Sequence, residues 1–272
     1  MQEDFDTIAE HYNDYLPPLS EPMSKALDAL RAPQADTRAL SRLLMQDTIL
    51  ASKTFKLVNS AYFSSTSSKH LSSINKALMS LGAMKVKNII IALVLQKLYD
   101  SEGPADLFRH SVFCATACEF LAEQYKTINP DDAFILGFLH DIGQVVLKSK
   151  YGSEYENVHK TANGNYEMLL KLENEKFGVT HSELGALLCK KWKMPAILVD
   201  TIKFHHAPKA ATIPFAAGFV YLADRIVAIN PESSTVSPDV LDYLQISFTD
   251  VAQSREKIMA RANVFLRELS DF

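Results

Sequence analysis

Seven residues in the C-terminal part of the chain have side chains suited to metal chemistry: His110, His140, Asp141, His181, His205, His206 and Asp224. Imidazole and carboxylate are ligands for iron, manganese, zinc or nickel at neutral pH. Seven such groups exceed what one ion takes, whereas two adjacent ions sharing one bridging carboxylate would use them all. The intervals between them are long and irregular, so spacing alone specifies no metal. Taken singly, each histidine reads equally well as a core residue satisfied by hydrogen bonds, and His205-His206 ahead of Pro208 as a polar turn. The other three of the eight histidines, His11, His70 and His159, lie in segments without further site signals.

The elements that must position these groups are helices. An apolar run from Ala133 to Leu139 leads into His140-Asp141, and Gly143 reads as the glycine that closes that helix. Its start is marked by Asn129-Pro130-Asp131-Asp132: a cap, proline at the first position, then acids at the positive end. A helix from about Pro104 to Tyr125 carries His110 on the same face as Phe113, Ala117 and Leu121. Gly178 ends an amphipathic helix over 166–177, and Thr180 with Glu183 forms a capping box that puts His181 in a first turn. A segment from Ala196 to Phe204 runs into His205-His206, and Pro214 opens the apolar helix that carries Asp224. Residues 148–165 contain Tyr, Gly and Asn and read as less regular. Upstream, five or six short helices are expected before residue 100, one closed by Gly82 and the last over about 85–99. Two further amphipathic segments follow near 238–246 and 249–270. No two-residue alternation persists, so the expected fold class is all-α. The expected division is an N-terminal arm (1–15), a helical subdomain (16–102) and a helical domain with the metal residues (103–272), with the boundary at Ser101-Glu102-Gly103-Pro104.

Composition excludes several classes. The 272 residues are 47% hydrophobic and 22% charged, which is globular rather than disordered. A net charge of -4 argues against a general nucleic-acid binder, and no basic, aromatic-interleaved stretch stands out. The odd cysteine count, Cys114, Cys118 and Cys189, suggests no disulfide framework. These cysteines read as small buried hydrophobes in a reducing compartment. No signal-peptide pattern or membrane-length apolar run is present, so a cytoplasmic location is expected.

The ordered residues His110, His140-Asp141 and Asp224 resemble the H…HD…D pattern of the HD superfamily of metal-dependent phosphohydrolases. The chain as a whole more closely resembles an HDOD protein, the HD-related output domain of bacterial signalling. Leu16-Pro17-Pro18-Leu19 is similar to that family's opening. Gln46-Asp47 with Val58-Asn59-Ser60-Ala61-Tyr62 resembles its DP…NSA stretch, with Thr48 in place of the proline, and Ala77 to Leu81-Gly82 its A…LG helix. The resemblance covers about residues 14–230 and implies an HD-type helical bundle with an N-terminal helical subdomain. His181 and His205-His206 match the additional metal residues of the related HD-GYP cyclic-dinucleotide phosphodiesterases. The resemblance thus implies two divalent ions: one on His110, His140, Asp141 and Asp224, the other on Asp141, His181, His205 and His206, with Asp141 bridging and catalytic. Against an HD-GYP activity, Gln144 stands where those proteins carry a lysine, and no GYP-like segment follows His206. Lys148 and Lys209 read first as solvated surface lysines, and otherwise as cations that could contact phosphate. Two functions follow as expectations: a regulatory HDOD protein with a metal centre and weak or no catalysis, or a phosphohydrolase. Partners would be signalling or regulatory proteins and a phosphate-ester ligand, with neither nucleic acid nor membrane.

Overall fold

The computed structural model describes residues 5–18, 21, 24–25, 28, 44, 48–59, 76, 79, 81–104, 106–228 and 236–270. Among these there are helices and no strand, as the absence of alternating patterns requires. The stretches at Gln46-Asp47 and Ser60-Ala61-Tyr62, and Ala77-Leu78, lie outside the described residues. The helices are α1 (Phe5–Tyr12), α2 (Thr48–Val58), α3 (Ala83–Glu102), α4 (Leu107–Tyr125), α5 (Pro130–Leu139), α6 (Gly143–Tyr151), α7 (Ser153–Ala162), α8 (Tyr166–Phe177), α9 (His181–Lys191), α10 (Ala196–Phe204), α11 (Pro214–Val227), α12 (Pro238–Leu244) and α13 (Phe248–Ser270). None is long and apolar enough to cross a membrane.

Contacts group the described residues into two compact units, Met1–Pro18 with Leu98–Met259, and Leu19–Lys97 with Ala260–Phe272. This grouping is drawn differently from the segments 1–15, 16–102 and 103–272. The junction falls inside α3 rather than at Gly103, and the C-terminal residues group with the second unit. In that second unit Leu50, Leu57 and Val58 of α2 are buried, and Asn59 donates its side-chain N–H to the Phe55 carbonyl, closing the helix. Val86, Ile89, Ile90, Ile91 and Ala92 of α3 are all buried, so that helix is enclosed on every side there.

In the first unit, α1 is held rather than loose. Tyr12 Oη lies 3.0 Å from Tyr151 Oη, Lys150 Nζ sits 3.9 Å from the Tyr12 ring centroid, and Trp192 donates to the Pro17 carbonyl at 3.2 Å. The centre of the unit is α5, packed on α4, α10 and α11. Gly137 permits the α4–α5 approach: a Cβ there would stand 2.7 Å from both the Cys114 carbonyl oxygen and Cys118 Sγ. All three cysteines are buried and free, as small apolar residues would be. Phe138 and Leu139 are fully buried, each contributing about 1.5–3 kcal/mol relative to exposure.

Two local readings change. Gly143 does not end a helix; it begins α6 and lacks a positive φ. It is required because α6 meets α9 backbone to backbone: a Cβ would run into the His181 carbonyl and come within 2.5 Å of the Gly185 amide nitrogen. Residues 148–162 are helical, divided by Gly152 at φ +52°. The local start and stop signals elsewhere hold: Asn129 caps α5, Thr180 and Glu183 form the capping box of α9, and Gly178 adopts φ +71° at the end of α8.

Candidate metal centre

Four chain segments converge on the end of α5. The helix stops at Leu139, and its last carbonyls are satisfied by the following turn and by Tyr99 of α3. Gly137 O accepts from His140 Nδ1 at 2.8 Å, Phe138 O accepts from Tyr99 Oη at 2.9 Å, and Leu139 O accepts from the Ile142 amide. That turn aims His140 and Asp141 into the interior, where they are 0% and 5% exposed at the side chain. His110 comes from the second turn of α4, Asp224 from α11, and His181 from the first turn of α9, brought near by the Gly143–Gly185 approach. His205 and His206 follow the last turn of α10.

All seven side chains anticipated from the sequence meet here, in two groups: His110, His140 and Asp224, and Asp141, His181, His205 and His206. Asp141 joins them. Its Oδ2 lies 3.3 Å from His140 Nε2 and 3.5 Å from His110 Nε2, while Oδ1 lies 3.2 Å from His181 Nε2 and 3.5 Å from His205 Nε2. Within the groups, His110 Nε2 is 3.3 Å from His140 Nε2 and 3.1 Å from Asp224 Oδ1, and His181 Nε2 is 3.0 Å from His206 Nε2.

The remaining ring nitrogens decide what these atoms can do. Nδ1 of His140 and of His205 faces a carbonyl, Gly137 O and Ile202 O respectively, and Nδ1 of His181 faces the Glu173 carboxylate. Each Nδ1 is therefore the protonated nitrogen, and in the neutral ring Nε2 presents a lone pair inward. Asp224 is 0% exposed, yet among the described residues neither of its carboxylate oxygens has an aligned hydrogen bond, and His205 Nε2 has none either. The ionic neighbours of Asp224 include His110 Nε2 at 3.1 Å and Arg225 Nη1 at 3.9 Å, and a buried carboxylate so thinly paired costs several kcal/mol. Convergent lone pairs and orphaned carboxylate oxygens are the donor set of a cation site, so a divalent metal fits these residues.

The electrostatics are those of a tightly coupled cluster. Burial pushes Asp141 up, but His140, His181 and His205 outweigh it and hold the carboxyl well below the usual range. Burial would keep His140 neutral, but Asp141 and then Asp224 raise it to about 9. His181 is raised against its own burial by Glu173 and Asp141. Burial lowers His205 and His206, with neighbouring imidazoles adding to the effect.

Two residues escaped the sequence reading. Glu173, fully buried in α8, accepts from His181 Nδ1, from the His181 amide at 2.9 Å and from Tyr155 Oη at 2.8 Å. A carboxylate on the apolar side of an amphipathic helix was the available signal. His159, assigned to a segment without site signals, lies 2.9 Å from Gln144 Oε1, and Gln144 in turn donates to Asp141 Oδ2 at 2.8 Å. Lys148 donates to the Gly103 carbonyl at 2.6 Å and Lys209 pairs with Asp239 at 2.9 Å, so both cations already have protein partners. His110, 18% exposed, opens onto a cavity of about 190 Å³ also lined by Arg109 and Arg255.

The model of the HDOD domain matches residues 16–208. The chain belongs to the HDOD family. Of its relatives, an uncharacterized protein of Treponema pallidum (strain Nichols) is 27% identical over 228 residues, 77% of this chain and 43% of that protein. The HDOD chain thus spans less than half of that relative's length. Among solved structures, a candidate signal transduction protein from Marinobacter aquaeolei VT8 is similar with TM-score 0.78 and 18% identity, over 99% of this chain and 61% of that one. A candidate phosphohydrolase from Shewanella amazonensis SB2B is similar with TM-score 0.74 and 23% identity, over 96% and 97%. At these identities the likeness concerns the fold.

Proposed function

We propose that this HDOD protein is a cytoplasmic bacterial regulatory protein whose helical domain holds two divalent cations and has weak or no catalytic activity. The observation that carries the reading is the Asp141 carboxylate, one oxygen of which faces each ligand group. One ion would be held by His110, His140, Asp141 and Asp224, the other by Asp141, His181, His205 and His206. A signalling role is in keeping with the description of the similar Marinobacter protein.

The completeness of the ligand set supports a second reading, a metal-dependent phosphohydrolase, as the similar Shewanella protein is described. Bound ions would supply Lewis-acid charge to a phosphate ester and acidify water. Turnover also requires the ester to be held in line for attack. For that, Gln144 offers a neutral amide already engaged with Asp141, and Lys148 and Lys209 are engaged elsewhere. Arg109 and Arg255 line the cavity beside His110, but Arg255 donates to the Ile226 carbonyl at 2.9 Å, which leaves Arg109, set over the Phe113 ring.

The test is elemental analysis of chelator-free protein, followed by a phosphodiester and phosphomonoester panel with manganese or iron, wild type beside Asp141→Ala. The proposal expects two ions per chain in wild type, loss of both in D141A, and no cyclic-dinucleotide hydrolysis above the D141A background. Turnover of order 1 per second confined to wild type would establish the enzyme instead.

A further inference from the structure

Asp141 has a neighbour that the metal reading leaves unused. Gln144 is 3% exposed and its Nε2 donates to Asp141 Oδ2 at 2.8 Å. A carboxylate accepts only, so this contact fixes which end of the amide is which. The reversed amide would set Oε1 against Oδ2 and lose the bond. Oε1 must then point the other way, where its partner is His159 Nε2 at 2.9 Å. A carbonyl oxygen likewise only accepts, so Nε2 is the protonated nitrogen of His159. The result is a directed chain, His159 N–H to Gln144 C=O and Gln144 N–H to Asp141 Oδ2, running from α7 through α6 to the turn after α5.

We propose that Gln144 and His159 form a positioning relay that fixes the plane of the Asp141 carboxylate, so that its two oxygens face the two ligand groups. The inference rests on the dinuclear reading above and deepens it. The terminal torsion of an aspartate is broad and sets its plane only loosely. A lateral hydrogen bond to Oδ2 holds that oxygen toward His140 and His110 and leaves Oδ1 toward His181 and His205. The relay also accounts for the residue type at 144. An amide both donates to the carboxylate and accepts from His159, whereas a lysine could only donate. Gln144 is thus wired to Asp141, and His159, whose hydrogen bond goes to Gln144 and not to a ligand, is a positioning residue. Partners outside the inner ligands commonly change metal affinity 10–100-fold.

The test uses the full chain loaded with manganese(II), measuring binding isotherms and the electron paramagnetic resonance spectrum. The variants are Gln144→Met, which keeps the length and removes both bonds, His159→Phe, which removes the outer donor, and His159→Gln, which keeps an N–H donor of similar reach. The relay predicts about 10–100-fold weaker binding of at least one ion in Q144M and H159F. It also predicts loss of the spin-coupled spectrum of two ions sharing a carboxylate, and return of both properties toward wild type in H159Q. Melting of the metal-free variants separates a folding defect from a positioning defect. Wild-type affinity and coupling in H159F and Q144M overturns the relay while leaving the dinuclear reading intact, as does an H159Q no better than H159F. A wild type that takes up no manganese overturns the dinuclear reading itself, and the relay with it.

Discussion

At the scale of single residues, the site is held in place by groups that a ligand pattern does not contain. Glu173 is the clearest. It is buried, accepts from both the amide and the ring of His181, and is itself held by Tyr155. Glu173→Gln keeps the volume but weakens the charge-assisted bond that fixes the His181 tautomer. We expect about 10–100-fold weaker binding of the ion on the His181 side, read by titration calorimetry, with the His110 side affected less. Glu173→Ala also leaves His181 without its partner, and should lower unfolding free energy by about 1–3 kcal/mol in urea melts. Asp224→Ala should remove one ion more readily than both, since Asp224 lies with His110 and His140 and not with the second group. The seven inner residues were legible because imidazole and carboxylate on apolar helices are costly unless they pair or bind something. Glu173 and His159 were not, because their roles exist only once α8 and α7 fold back onto the site.

At the scale of elements, what could be read from sequence was local and what could not was tertiary. Asn129, Thr180 with Glu183, and Gly178 act within one helix turn of themselves, and each does in the structure what its type dictates. Gly143 looked like a helix stop because glycines often end helices, yet it is there to let α6 meet the backbone of α9. The segment 148–165 looked irregular because it contains Tyr, Gly and Asn. Its buried residues, Tyr155, Val158 and Ala162, keep helical spacing; Val158 and Ala162 pack with Leu169 of α8, and the Tyr155 ring meets Phe177. The contact at Gly143 yields a direct prediction. Gly143→Ala meets backbone atoms that cannot swing aside, so it should cost about 1–3 kcal/mol, at the upper end of that range, by chemical denaturation. Because α9 carries His181, the same variant should also weaken metal binding. Full metal affinity in a destabilised G143A would show that the α6–α9 approach does not set the site.

At the scale of the molecule, the HDOD fold turns a sequence-distant set of side chains into one cluster of imidazoles and carboxylates whose types suit a divalent cation. Metal should therefore act on the folding equilibrium. A ligand bound only by the native state at 100 times its dissociation constant adds about 2.7 kcal/mol per site, so chelation should lower the melting temperature of wild type and leave D141A unmoved. In the proposed centre Asp141 joins two ions, one in each ligand group. Anomalous X-ray scattering across the manganese, iron, nickel and zinc edges, on crystals grown without chelator, tests it most directly. Two peaks are expected on either side of Asp141, one among His110, His140 and Asp224, the other among His181, His205 and His206. A single peak, or none in protein that elemental analysis shows to be metal-free after growth in metal-supplemented medium, would contradict it.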